Sequence, residues 1–492
     1  MAQNSVLTLQ SISEGSRQIR TMRDPVVESP NRPQHRLLIS PLKSLHSDQS
    51  VDARLNALES CLSWVYIRLL LLMGASWAIQ AAELVLLIFT RVIVADDIGM
   101  GEQALEIFGA SILMGSVAGG PIFGHVADAF GRRKALLLAM VLSVGGLAVS
   151  AQAEAEYVLI IGRVVTGLGF GGQFSSTLVL LQELVPRSMR GRVVSLLDAF
   201  TGLGGMVGVG LAFAVEPWLK WRTTYMLVCS FVLYTVVLHF TIPESPRWLA
   251  SVGRMEEAYA AVEKIERLHH LQPPSDDIPK IVLGFKSVFA PLPSSTIRPS
   301  SCKQMTPILS LLTLWIAITL SSYTLGIYVP TLIGLEGFNM FKSWSTVALV
   351  SAAQVLGSVV AALVLDTYGP QRSLSCFATM AAITSVVLSY VPWSPAFVIT
   401  GSFLVTSLLS GCWSCVLSYS PGHFTTARRG RGMGYAVGAS RLVATGICYM
   451  YNHWALSVAA LCWIFGGLLM VVAVGVVPYF GHNPDKEDDT GS

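Results

Sequence analysis

Over most of the chain, apolar residues fall in long runs parted by short polar breaks. Twelve such runs can be drawn: 65–93, 104–127, 135–152, 157–182, 193–215 and 222–242, then 306–332, 344–366, 373–391, 395–419, 433–452 and 455–479. Each is close to or above the roughly 20 residues that a helix needs to span a hydrocarbon core. Inside a bilayer every backbone amide must find its partner within the segment, which favours helices. The pattern predicts an all-α membrane protein with twelve transmembrane helices, arranged as six, a gap and six.

The gap and the two ends read differently. Residues 1–62 are rich in Ser, Pro, Gln and Arg, and predict a disordered cytosolic tail. No apolar stretch follows Met1, so the first run is expected to act as the insertion signal. Residues 63–249 and 305–480 are the expected six-helix bundles, 250–304 a cytosolic linker, and 481–492 a short C-terminal tail. Within the linker, 255–270 (MEEAYAAVEKIERLHH) has helical periodicity, with Ala258, Val262 and Ile265 on one face. That face predicts a helix lying on the inner membrane surface.

Composition agrees with this division. Of the 492 residues 52% are hydrophobic and 13% charged, against about 25% charged in an average soluble domain. The net charge of +3 is spread over short loops and points to no nucleic-acid partner. Most of the 8 cysteines sit inside apolar runs, where a thiol behaves as a small hydrophobe. Cys412 and Cys415 form a CxxC within a span, which is not read as a redox or metal motif.

Charge also sets the expected orientation. The breaks after spans two and four carry Arg132, Arg133, Lys134 and Arg187, Arg190, Arg192, and the break before span eleven carries Arg428, Arg429 and Arg431. Alternate breaks are acidic or uncharged, with Asp96, Asp97, Glu102, Glu154 and Glu156. The positive-inside rule then puts both termini in the cytosol. The chain also repeats itself. Asp128-x-x-Gly131 recurs as Asp366-x-x-Gly369, and Arg190-Gly191 as Arg429-Gly430, at nearly the same offset. Two parallel six-helix halves around a central site are the expected result.

The string from Gly124 to Lys134, GHVADAFGRRK, closes the second span. Span four reads GRVVTGLGFGG from Gly162 and ends in Glu183, with Arg190-Gly191 beyond; PESPRWL follows span six. Together these strings resemble the signatures of the major facilitator superfamily, with GHVADAFGRRK its most specific element. Span one (Trp77 to Glu83) and span eleven (GMGYAVGASR, ending at Arg441) add a similarity to the synaptic-vesicle-2-related and organic ion or metabolite:proton symporter branch. The resemblance covers residues 65–480. It implies the major facilitator fold, transport of a small organic solute by alternating access, and a monomer needing no cofactor or metal.

The resemblance further implies a gating set that latches and releases the cytosolic side. Its members are Gly124, Asp128, Gly131, Arg132, Arg133, Lys134, Glu183, Arg190, Gly191, Glu244, Arg247, Asp366, Gly369, Arg372 and Arg429. The chain departs from the family in several places. Gln80 stands where an acid is usual, Gly422 and Thr425 follow span ten in place of an acid and a Pro, and Pro370 and Gln371 replace basic residues in the second copy of the loop. A QxSG-like stretch in span seven and a PET after span twelve are missing, which argues against a hexose carrier. The weakened second half leaves a second reading open, a non-transporting receptor or trafficking partner.

Ionisable residues within a span are costly, and functional by default. Glu83 is read either as a carboxylate that couples protons or faces a cationic solute, or as the structural partner of Arg163 in the same layer. Arg441 could receive an anionic group or neutralise a facing carboxylate. With Gln80, Tyr323 and Trp413 these form the expected substrate and coupling set. Trp315, Tyr328 and Tyr419 are further aromatic candidates for the cavity or the core. Asp198 is expected to pair with the basic loops, and His239 and His453 to sit at solvated interfaces. Glycine pairs 115/119, 120/124 and 204/208 have the spacing of close helix contacts. No zinc-protease, nucleophile-elbow or P-loop motif is present, so enzyme and ATP-driven readings are set aside. The membrane itself, plasma or intracellular, is not specified.

Overall fold

The computed structural model describes residues 51–58, 63–215, 220–268, 302–325, 344–390, 395–450 and 457–479. These lie within the unit formed by Leu45–Ser492. The helices are α1 (51–57), α2 (Trp64–Ile98), α3 (Glu102–Phe130), α4 (Arg132–Ala151), α5 (Glu156–Leu184), α6 (Arg190–Val215), α7 (Trp221–Cys229), α8 (Val232–Thr241), α9 (Pro246–Ser251) and α10 (Met255–Leu268). After residues 269–301 come α11 (Cys302–Tyr323), α12 (Trp344–Tyr368), α13 (Pro370–Leu388), α14 (Pro395–Tyr419), α15 (Arg429–Met450) and α16 (Val458–Tyr479). Among the described residues eight helices are long and apolar enough to cross a membrane, and Leu309–Tyr323 and Ala459–Gly475 are shorter apolar stretches. Each of the twelve predicted runs has its described residues mainly on helix. The sixth is carried by two helices, α7 and α8, joined by a turn at Ser230 and Phe231.

Packing follows the repeat. α3 and α5 pack on each other, as do α4 and α5, and α2 and α6; in the second half α12 and α13 both pack on α14, and α13 on α16. The halves meet along two seams, α3 with α15 and α6 with α12. Glycine makes these approaches possible. A Cβ on Gly115 would sit 2.0 Å from the Val164 carbonyl oxygen, and one on Gly119 2.2 Å from that of Leu168. Gly204 and Gly208 face Ala78 and Ala82 in the same way. Gly120 and Gly124 have a different position. They face the backbone of Gly434 and Gly430 across the seam between the halves. Gly115→Val is therefore expected to overpack the first half, at a cost of about 1–3 kcal/mol. An unchanged melting temperature in detergent would refute this.

The tail expectation needs one correction. Residues 51–57 are helical, and Val51, Leu55 and Leu58 are buried in the main core. Their i, i+4, i+7 spacing is an apolar helix face set in polar sequence. Asp52 of this helix pairs with Arg247 on α9 at 2.6 Å, and Arg54 with Glu266 on the linker helix α10 at 2.6 Å. The Ala258, Val262 and Ile265 face of α10 is buried in the same core. It is spent on protein contact rather than on lipid. Residues 1–50 and 269–301, with Tyr328 and His453, lie outside the described residues.

Candidate functional site

Two clusters of polar groups stand out: a network at the basic end of the bundle and a cavity between the halves. The network starts from the turn between α3 and α4. Gly131 has φ +112, a conformation that glycine adopts without strain, and this aims Asp128 and Arg132 into the protein. Asp128 accepts from the backbone N–H groups of Gly430 (3.0 Å) and Arg431 (2.9 Å), at the N-terminus of α15. A carboxylate is favoured there by the helix dipole. A Cβ at Gly430 would lie 2.7 Å from the carboxylate, so glycine is needed for the approach.

The second copy of the motif makes the mirrored contact. Asp366 accepts from the Arg192 N–H at 3.1 Å, near the N-terminus of α6, and a Cβ on Gly191 would come within 2.9 Å of it. Each half thus inserts an aspartate into a helix start of the other half. Gly369, at φ +80, makes the turn that follows Asp366, as Gly131 does after Asp128.

Glu183 is the centre of the network. It is fully buried and pairs with Arg132 (3.0 Å) from its own half and Arg429 (3.0 Å) from the other. Arg132 is also fully buried, 3.2 Å from Asp128 and donating to the Ala127 carbonyl. It is a structural ion as much as a topology signal. Arg247 donates to the carbonyls of Gln182, Glu183 and Val185, and so caps the end of α5; Arg190 also bonds Gln182 O. Glu244 accepts from the N–H groups of Arg133 and Ser245. Burial raises the affinity of Glu244 for its proton. Burial acts the same way on Asp52, but the charge and hydrogen bond of Arg247 outweigh it and hold that carboxyl below its ordinary value. Lys134 and Arg372 are exposed. Among the described residues they form no ion pair in this network.

Above the network, on the side away from the arginines, lies a cavity of ≈ 390 Å³, within the range of small-molecule sites. Gln80, Leu84 and Ile88 line it from one face of α2, with Asp198 from α6 and Tyr323, Trp413 and Arg441 from the second half. The Arg441 Nη1 donates to the Tyr323 hydroxyl at 3.0 Å, and its guanidinium lies 5.5 Å from the Phe174 ring. Among the described residues no carboxylate pairs with Arg441. Trp77 stacks on Phe174 at 4.5 Å, and Trp315 meets Trp413 edge to face at 5.4 Å. The Trp77 Nε1 and Thr406 Oγ1, both in the lining, have no hydrogen-bond partner among the described residues. Gln80 donates to the Phe170 carbonyl at 3.0 Å.

Glu83 is not part of this lining. One residue's rotation turns it away from the Gln80 face, and it pairs with buried Arg163 at 3.0 Å. Arg163 also stacks on Tyr225 at 4.1 Å. Of the two readings of Glu83, the ion pair is what the structure contains. The expectation for Asp198 is overturned. Among the described residues it pairs with no basic loop, and it accepts from Ser358 (2.9 Å) and Ser414 (3.0 Å) at the cavity floor. Phe174, Thr406 and Gln354 in the lining were not singled out by sequence, and Trp77 only as the start of the span-one string. Their only signal is sharing the α2 or α5 face, or the inward face of a span, with residues that were. Cys412 and Cys415 are buried free thiols, and Tyr419 and exposed His239 lie outside the lining.

Comparison with known proteins agrees with this architecture. Residues 69–447 match the profile of the Major Facilitator Superfamily. The chain is 28% identical to the niacin transporter NiaP of Acinetobacter baylyi, over 76% of this chain and 84% of that protein. It is 25% identical to an arabinose-proton symporter of Bacillus subtilis, over 77% and 83%, and 23% identical to the putative transporter svop-1 of Caenorhabditis elegans, over 77% and 75%. Among solved structures, the proton:xylose symporter XylE, bound to 6-bromo-6-deoxy-D-glucose, superimposes with a TM-score of 0.68 at 19% identity, covering 84% of this chain and 95% of that one.

Proposed function

Since the chain belongs to the major facilitator superfamily, we propose that it is a secondary transporter whose solute is a small aromatic carboxylate, with nicotinate as the first candidate. The observation that carries this reading is Arg441, a cavity-lining guanidinium beside an aromatic wall and, among the described residues, without a carboxylate partner. A guanidinium binds a carboxylate through two parallel hydrogen bonds, and the Tyr323 hydroxyl already oriented on Arg441 adds a third group. The ring of the solute would lie between the Trp77–Phe174 stack and Trp413. A sugar needs many hydrogen-bonding groups. The mainly apolar, aromatic lining suits a planar ring better. The similarity to a niacin transporter supports the same class.

The basic network is the gate in this reading, and by the positive-inside rule it faces the cytosol with both termini. The six-helix halves, 63–249 and 305–480, rock about the cavity, and the Asp128 and Asp366 contacts break when the cytosolic side opens. The receptor alternative leaned on the weakened second motif, yet Asp366 makes the contact its counterpart makes. A monomer is sufficient, since both walls of the cavity come from one chain.

The test is uptake of labelled nicotinate by reconstituted protein. Saturable uptake is expected, competed by other heteroaromatic carboxylates and not by pentoses or by the neutral amide. Arg441→Ala removes a charged hydrogen-bond partner worth about 1.5–3 kcal/mol, so the apparent affinity should fall roughly tenfold to a hundredfold. Arg441→Lys should recover part of it. Equal affinity in the wild type and Arg441→Ala would rule the assignment out.

A further inference from the structure

We propose that Asp198, held by serines of the opposite half, is the proton-binding site that couples transport, a role that Glu83 does not fill. This rests on the reading of the chain as a solute carrier. Asp198 is almost fully buried on α6, eight residues or about 12 Å of helix beyond Arg190. Its Oδ2 accepts from Ser358 Oγ on α12 and Ser414 Oγ on α14. A third hydroxyl, Ser410 Oγ, lies 2.8 Å from that of Ser358 and donates to the Gln354 carbonyl. Asp198 is also in the lining of the cavity. The carboxylate belongs to the first half and its cage to the second.

Among the described residues no cation forms an ion pair with it. Helices α2, α12 and α14 pack on α6. The ionisable groups of α2 are Tyr66, Arg68, Glu83, Arg91, Asp96 and Asp97; Glu83 is taken by Arg163 and Asp97 by Arg222. On α12 they are Asp366, held by Arg192, and the exposed Tyr368. On α14 they are the thiols of Cys412 and Cys415 and the phenol of Tyr419. On α6 itself are Arg190, which bonds Gln182 O, and Arg192. Arg441 faces the same cavity and bonds Tyr323. Among the described residues none of these forms an ion pair with Asp198. A lone carboxylate enclosed this way is expensive, and a bound proton removes that cost. Hydroxyls donate or accept by rotation, so the serine cage fits both the carboxylate and the acid.

The geometry supplies the coupling. With the basic end closed, Asp198 exchanges its proton with water in the cavity. When the halves part at that end, Ser358 and Ser414 leave with the second half, and the carboxylate meets water on the other side. The proton moves from water to a carboxylate oxygen and back to water, and no further reactant is needed. Together with a solute carboxylate on Arg441, the neutral acid leaves the closed cavity without unpaired charge. Glu83 and Arg163 both lie in the first half and outside the cavity, so rocking of the halves changes neither.

The test uses the full chain in liposomes. Accumulation of nicotinate against its gradient, driven by an inward proton gradient, is expected in the wild type and lost in Asp198→Asn, while exchange of internal for external nicotinate stays measurable. Ser358→Ala with Ser414→Ala keeps the carboxylate and should shift the pH at which accumulation is half-maximal. Gradient-driven accumulation by Asp198→Asn equal to wild type would overturn the proposal, as would a sodium gradient replacing the proton gradient. Tryptophan fluorescence of solute-free protein, titrated with acid, separates this from the solute assignment. Trp413 and Trp315 line the same cavity and should report a transition that Asp198→Asn lacks. If nicotinate exchange is absent in the wild type but that transition is present and lost in Asp198→Asn, the solute is wrong and the proton site stands. A transition that survives in Asp198→Asn removes the proton site whatever the solute. If Asp198→Asn does not fold, the serine double variant decides. An unshifted pH dependence of both uptake and fluorescence counts against the cage.

Discussion

Glu183→Gln should drive the protein out of the conformation closed at its basic end. Among the described residues Glu183 is the one anion shared by Arg132 and Arg429, which approach it from opposite halves at 3.0 Å each. Arg132 has no exposed surface in this state. Removing the charge leaves Arg429 without its carboxylate and Arg132 with Asp128 alone among the described residues, and breaking a buried pair in this way costs about 3–5 kcal/mol. The cost falls on the closed state alone, because on opening the arginines regain water. A difference of that size shifts a two-state equilibrium by more than about a hundredfold. The backbone N–H groups of Gly430 and Arg431, which donate to Asp128 across the seam, report the change directly. Their hydrogen exchange should accelerate in Glu183→Gln. Unchanged protection there would show that the network is not what holds the end closed.

The second large effect is on stability. Glu83→Gln leaves Arg163 buried with only the Tyr225 ring beside it. Among the described residues the Arg163 Nε and Nη2 already lack hydrogen-bond partners. An uncompensated buried charge again costs about 3–5 kcal/mol, which for a chain of this length corresponds to a loss of roughly 3–5 °C in melting temperature. The double variant Glu83→Gln with Arg163→Met removes the charge as well as its partner and should recover most of that loss. It should also keep the proton dependence of uptake. A double variant as unstable as the single one would mean that the two residues do not act as a pair. One that folds well but no longer responds to protons would return the coupling role to Glu83.

These two residues also show where sequence reading stops. The spans are legible because a bilayer imposes one requirement on every helix: about 20 apolar residues with internal hydrogen bonds. Loop arginines are legible for the same reason, since their side of the membrane is set one loop at a time. The contacts of Asp128 and Asp366 were legible through Asp128-x-x-Gly131 and Arg190-Gly191, because the turns that place them are local and recur. That Arg132 and Glu183 meet Arg429 was not, as nothing in a run of residues states which helix of the other half it faces. Helix α1 was missed because its three buried apolar residues stand among polar neighbours. Glu83 and Asp198 are the sharpest case. Each is a single acid in an apolar run, and composition treats them alike. Rotation about the helix axis turns Glu83 to Arg163 within its own half and Asp198 to the serines of the other. The sequence by itself determined that this chain crosses a membrane in two related halves with basic loops on one side. Only the tertiary structure decided which carboxylate is neutralised by an arginine and which stands uncompensated at the cavity floor, because that depends on the faces helices present when they pack.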